Sequence, residues 1–165
     1  MKLRRVALGA LLLTGGTALA HRAPNSVVSL DFEARAVRAE LLVPLSELGY
    51  ATADSPAGQF PAYLLRHVGV ETLGGQPWVL SLKSLRRTTL DDHDYWVARL
   101  DFKPPGGASA REFVFIDDAV THEVRNHVIT VLARSDAAAD SVAPAARVLG
   151  ILQYPARRLT IRRLP

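Results

Sequence analysis

The sequence predicts a mainly β domain: an antiparallel β-sandwich of immunoglobulin-like type, with seven or eight short strands and one inserted helix near residues 60–70. Three observations carry this. The apolar residues recur mostly with a period of two, the period of a strand with one buried face. Turn signals such as Gly74-Gly75 and Pro104-Pro105-Gly106-Gly107 punctuate these runs at short intervals. Only one stretch of any length carries helical spacing. Many short strands joined by turns are the pattern of two packed sheets.

Element by element, Val28, Leu30 and Phe32 alternate with Ser29 and Asp31, and Val37, Ala39, Leu41 and Val43 alternate with Arg38 and Glu40. The short Glu33-Ala34-Arg35 link between them predicts a hairpin. Pro44 stops the second strand because it cannot donate to a ladder. One helical turn is expected at Pro44–Leu48, followed by a small, polar, proline-broken loop from Ala51 to Gly58. The helix is expected at Phe60–Val68, where Phe60, Leu64, His67 and Val68 share a face and Pro61 suits the first turn. Strands resume around Trp78–Lys83 and Trp96–Phe102. Phe113–Ile116 and Val128–Ala133 read as short buried strands. Arg147–Leu152 follows an Ala/Asp/Ser/Pro-rich loop, and Leu159-Thr160-Ile161 adds a last edge strand.

The N-terminus reads as a secretory signal over residues 1–20, leaving a single domain at 21–165. Lys2, Arg4 and Arg5 form a positive n-region, Val6–Leu13 an apolar h-region, and Ala18-Leu19-Ala20 the small-residue cleavage site. The apolar run is too short to span a bilayer and is broken by Gly15-Gly16. The expected location is therefore periplasmic or secreted. Cleavage also changes the electrostatics. The full chain has 20 basic and 16 acidic side chains, and the signal takes three of the basic ones. A mature chain so near neutrality gives no argument for nucleic acid.

With no cysteine, the domain must hold itself by packing, and zinc-thiolate, haem-thioether and thiol chemistry are excluded. The single Met is the initiator, so thioether ligands are excluded as well. There is no Gly-x-Ser-x-Gly elbow, no His-Glu-x-x-His and no phosphate-cradling glycine loop. Nothing in the sequence pairs a nucleophile with a base, so the chain is expected not to be an enzyme and to need no organic cofactor.

What remains is imidazole. The five histidines are His21, His67, His93, His122 and His127. His21 is distinct because signal cleavage after Ala20 makes it the first residue. Its free α-amine has an unperturbed pKa of about 7.7–8.0 and can donate to a metal near neutral pH. The Nδ1 of the same residue closes a chelate ring with that amine. A second histidine would complete a three-nitrogen histidine brace, a donor set that suits Cu(II) and then Ni(II). His122 and His127 are five apart, a spacing that neither a helix nor a strand aligns. They converge only if His122 lies in a turn and His127 opens the next strand. Asp117, Asp118 and Glu123 are available beside them as oxygen ligands or as acceptors for imidazole N–H groups. The plainer alternative is a polar corner with the acids capping backbone N–H groups. His67 sits on the apolar side of the expected helix, where a satisfied boundary histidine is the ordinary reading. His93, between Asp92 and Asp94, is expected in an exposed turn.

Five phrases, in order, carry a resemblance: AHRAPNSVVSLDF (20–32), AELLVPLSELGYA (39–51), YLLRHV (63–68), DDAVTHEVRNHVITV (117–131) and LGILQ (149–153). Together they resemble the exported N-terminal region of the HupE/UreJ family, bacterial membrane proteins associated with hydrogenase and urease systems and with nickel or cobalt uptake. The resemblance implies a metal role for His21, His67, His122 and His127, which lie in the matching phrases. It also implies a membrane transporter or other membrane protein as partner. Family members continue into several transmembrane helices. This sequence carries no such segment, so a stand-alone soluble form or the ectodomain of a truncated gene is expected, and transport by this chain alone is not.

The expected function is capture of a transition-metal ion, Cu(II) or Ni(II), for delivery to a membrane partner. The competing expectation is a non-catalytic interaction ectodomain that docks on a membrane protein without metal, its C-terminal arginine pairs facing anionic headgroups or the partner.

Overall fold

The computed structural model describes residues 24–52, 59–106, 108–136 and 146–163. His21, the signal segment and most of the loop expected at 51–58 lie outside the described residues, as does the bulk of the Ala/Asp/Ser/Pro-rich loop before Arg147. The described chain forms nine strands and two helices. They are β1 (Ser26–Phe32), β2 (Val37–Pro44), α1 (Leu45–Ala51), α2 (Phe60–His67), β3 (Val68–Glu71), β4 (Val79–Leu90), β5 (His93–Lys103), β6 (Glu112–Asp117), β7 (Ile129–Asp136), β8 (Arg147–Leu152) and β9 (Arg158–Arg162).

The strands make two sheets, one of six in the order β4-β5-β2-β1-β7-β8 and one of three in the order β3-β6-β9. The β-sandwich expected from the sequence is therefore present. It differs from expectation in three details. There are nine strands, and the helical insertion between β2 and β3 is two helices, since the turn after Pro44 extends to Ala51. The pairing of β1 with β7 is parallel, so the large sheet is not antiparallel throughout. Local periodicity sets which face of a strand is buried but is blind to the direction of a partner a hundred residues away.

The β1–β2 hairpin forms as expected, with Phe32 opposite Val37 and Val28 opposite Leu41. Its alternation places Val28, Leu30, Phe32, Val37, Ala39 and Leu41 in the core. Ala98, Leu100 and Phe102 of β5 continue that inner face. The small sheet answers with Val68, Val70, Phe113, Phe115 and Ile161. Aromatic contacts join the layers: Phe102 meets Phe115 edge-on at 6.2 Å, and Phe32 meets Phe113 at 6.1 Å. Such pairs add about 0.5–1.5 kcal/mol each beyond their buried area.

The outer face of the large sheet carries charge in cross-strand register. Asp31 faces Arg38, and Glu40 faces Arg99. Arg134 of β7 bridges the Asp31 and Glu40 carboxylates. Partial burial alone would raise both carboxyls, but the hydrogen bonds from Arg134, Arg99 and Ser135 outweigh it and hold them below the usual range. This ladder solvates a face that would otherwise be open to sheet-to-sheet association.

The long β4–β5 hairpin turns through Asp91 and Asp92, both at positive φ (47° and 62°). Two left-handed residues make the turn that matches strand twist, and aspartate tolerates that conformation better than most side chains. His93 is the first residue of β5 and is half-buried, so it sits at the end of the strand and not in the exposed turn expected.

Helix α2 starts with Pro61 in its first turn and buries Phe60, Tyr63 and Leu64. Phe60 stacks on Trp96 of β5 at 5.6 Å. The helix is thereby fixed against the large sheet, while its last residue, His67, runs directly into β3 of the small sheet.

Candidate metal centre

Strand register brings His67 to Asp118. Val68, the first residue of β3, pairs with Asp117, the last residue of β6. One step further along the same antiparallel pair, His67 lies opposite Asp118, and the Asp118 N–H donates to the His67 carbonyl at 3.1 Å. Side chains opposite one another in such a pair lie within reach. The His67 Nδ1 is 2.8 Å from Asp118 Oδ1.

A turn brings His122 to the same place. The Asp118–Val128 loop opens with a helix-like turn in which the His122 N–H donates to the Asp118 carbonyl. Residues four apart in such a turn lie one above the other. The His122 Nδ1 also approaches the Asp118 carbonyl oxygen, at 2.7 Å. The two imidazoles stack, with centroids 4.3 Å apart and planes at 22°. Tyr63 of α2 closes the inner side, its ring 4.5 Å from His67 and 5.9 Å from His122. Its hydroxyl donates to the Ala119 carbonyl. Burial first, and then the negative charge of Asp117, Asp118 and Glu123, pushes the Tyr63 phenol well above its ordinary range, so it remains a neutral donor.

These contacts determine the tautomers of the neutral rings. A carboxylate and a carbonyl can only accept, so both Nδ1 atoms must carry hydrogen. Each neutral imidazole then has its lone pair on Nε2, and neither Nε2 has a hydrogen-bond partner among the described residues. Donation of the other ring N–H to a carboxylate or backbone carbonyl is the arrangement that orients histidine ligands and raises their basicity. His67, Asp118 and His122 each offer one donor atom, and these lie within 4.8 Å of one another. Asp118 is the shared support: Oδ1 takes His67, the main-chain oxygen takes His122, and Oδ2 is 3.3 Å from the Arg157 guanidinium. Arg157 is placed by the same sheet, since its carbonyl accepts from the Asp117 N–H at the start of β9.

Asp117 turns the other way. It is buried, and its Oδ1 accepts from the Ala119 N–H at 3.0 Å. Burial pushes its carboxyl up to about 7, against the pull of that hydrogen bond. It caps the corner, as the plainer reading of the acids anticipates.

His127 does not join His67 and His122. It closes the loop just before β7, as expected, but its ring enters the core with 2% exposure. Its Nε2 accepts from the Ser26 N–H at 3.2 Å and lies 2.8 Å from Ser26 Oγ. A backbone N–H can only donate, so this Nε2 is unprotonated and its lone pair is occupied. Nδ1 then carries the hydrogen and has no hydrogen-bond partner among the described residues; Glu47 Oε2 stands 3.9 Å away. Burial lowers the His127 imidazole to about 4, which keeps the ring neutral at ordinary pH. Ser26, His127 and Glu47 lie in the order of a hydrolytic triad, but Glu47 is beyond hydrogen-bond distance of Nδ1, Ser26 is only 3% exposed and its own N–H is bonded to the imidazole. The arrangement pins the start of β1 to the end of the loop that carries His122.

His67 and His122 are among the ligands expected from the sequence, and Asp118 is among the acceptors expected for imidazole N–H groups. The structure joins these three and separates His127. Tyr63, Arg157, Ser26 and Glu47 carried no signal as neighbours of histidines. The four-residue step from Asp118 to His122 was a usable signal for a shared turn.

Compared with known proteins, the chain matches no family model, and no curated protein matches it.

Proposed function

We propose that this protein is an exported domain that binds a transition-metal ion, Cu(II) or Ni(II), and passes it to a membrane partner, in keeping with its resemblance to the HupE/UreJ family. The observation that carries the reading is the pair of stacked imidazoles with both Nδ1–H groups committed to Asp118 and both Nε2 atoms without a hydrogen-bond partner among the described residues. Two neutral nitrogen donors suit Cu(II) and Ni(II) better than the hard ions, which prefer oxygen. Asp118 is engaged on both carboxylate oxygens, so it acts as the orienting acceptor more readily than as a ligand.

Two imidazoles leave coordination positions open. In this proposal the amine and imidazole of His21 fill them once the signal is removed. His127 binds Ser26, so the path from His21 starts at the base of the loop that carries His122. Five residues extended reach at most about 18 Å.

The experiment is a titration of the mature protein with Cu(II) and Ni(II), followed by calorimetry and, for copper, by electron paramagnetic resonance. Binding of one equivalent that is lost in both His67→Ala and His122→Ala supports the reading. Retention of full affinity in the double variant overturns it.

A further inference from the structure

The end of the sandwich opposite the histidines holds a cleft of about 730 Å³, a size that suits a small ligand. Strand β6 measures the separation. It ends at Asp117 beside the histidines and begins at Glu112 beside this cleft, five steps or about 17 Å away. The cleft is bounded by the β1–β2 turn, by the Pro104-Pro105 segment after β5, and by the approach to β6.

Among the described residues its charged lining is cationic: Arg35, Lys103, Arg111 and Arg163, with no acidic side chain. Arg163 is built into the wall, its side chain only 5% exposed. Its guanidinium donates to Asp136 and to the Glu33 carbonyl and lies over the Phe32 ring. Arg35, Lys103 and Arg111 differ. They are exposed, and among the described residues none of them has an acidic partner, whereas Arg38, Arg99, Arg134, Arg157, Arg158 and Arg162 all do. Three cations around one concavity, without acidic partners among the described residues, repel each other, and an anion between them relieves that repulsion.

We propose that this cleft binds a small, multiply charged anion bearing carboxylate or phosphate oxygens. Planar guanidinium forks match such oxygens in pairs, and Lys103 adds a point charge. The site is independent of the metal proposal and needs none of the histidines.

The test uses metal-free mature protein, labelled for amide NMR, titrated with propane-1,2,3-tricarboxylate and with inorganic phosphate at physiological salt. Saturable shifts confined to residues 33–36, 103–106, 108–111 and 163 are expected for at least one of the two. Arg35→Ala/Arg111→Ala should weaken binding about tenfold or more, the loss of one or two charge-assisted hydrogen bonds. Arg86→Ala/Arg147→Ala, an equal loss of exposed charge elsewhere, should leave it unchanged. Urea unfolding of both variants establishes that they are folded. Absence of saturable binding overturns the proposal, and so does equal weakening in the control variant. Binding only to phosphatidylglycerol vesicles, with neither small anion bound, overturns it in favour of a membrane-facing patch.

Discussion

The rings of His67 and His122 lie 4.3 Å apart in a near-parallel stack, and both are held through Nδ1 by different oxygens of Asp118. One residue thus sets the tautomer of two others that are 55 positions apart in the chain. The division of labour follows from valence: two nitrogens offered outward, one carboxylate and one carbonyl accepting from behind.

Replacing a nitrogen donor should cost more than replacing its support. His67→Ala and His122→Ala are each expected to reduce Cu(II) affinity by at least about a hundredfold, while Asp118→Asn should cost about 10–100-fold and leave stoichiometry at one. Calorimetric titration separates the two outcomes. Equal losses in all three variants would make Asp118 a ligand in its own right.

The amine of His21 is testable without touching any side chain. An alanine placed ahead of His21 should weaken Cu(II) binding and alter the copper resonance spectrum by removing one nitrogen donor. Identical spectra with and without the extra residue would exclude the amine while leaving His67 and His122 in place.

Tyr63→Phe keeps the aromatic wall and removes only the hydroxyl that donates to the Ala119 carbonyl. A buried carbonyl loses its partner, so a destabilisation of about 1–2 kcal/mol is expected. Urea denaturation measures it. The stacked rings do not depend on the hydroxyl, so metal stoichiometry should be unchanged.

Two buried groups give the metal-free protein opposing pH responses. His127 titrates near 4 in the fold and near 6.5 when unfolded, so between those values the unfolded chain holds the extra proton and stability rises with pH. Asp117 titrates near 7 in the fold and near 3.8 when unfolded, so there the folded chain holds the extra proton and stability falls as pH rises. From about pH 4 to 6.5 the two largely cancel. Asp117→Asn should expose the His127 slope, with stability lost on acidification from pH 6.5 to 4. His127→Gln should expose the reverse, with stability lost from pH 4 to 7. The His127 slope integrates to about 3 kcal/mol and the Asp117 slope to about 4 kcal/mol at most. Urea midpoints across this range decide the matter, and parallel curves for wild type and both variants would contradict it.

The sandwich was legible because its information is local. Alternation in 28–32, 37–43 and 96–102 fixes which side chains face inward, and the 33–36 link fixes one hairpin. The helix at Phe60–His67 was legible from spacing and Pro61. The parallel β1–β7 pair was not, since no local signal encodes a crossover.

The sequence by itself determined the chemistry available to this protein: no thiol, one initiator thioether and five imidazoles. Only the tertiary structure decided which imidazoles meet. The pairing of Val68 with Asp117 carries His67 to Asp118, and the turn from Asp118 returns His122 onto it. His127, alike in chemistry and five residues on, is instead drawn into the core by the Ser26 N–H. Residue type sets what a side chain can donate or accept. Register and burial decide which lone pairs are left to use.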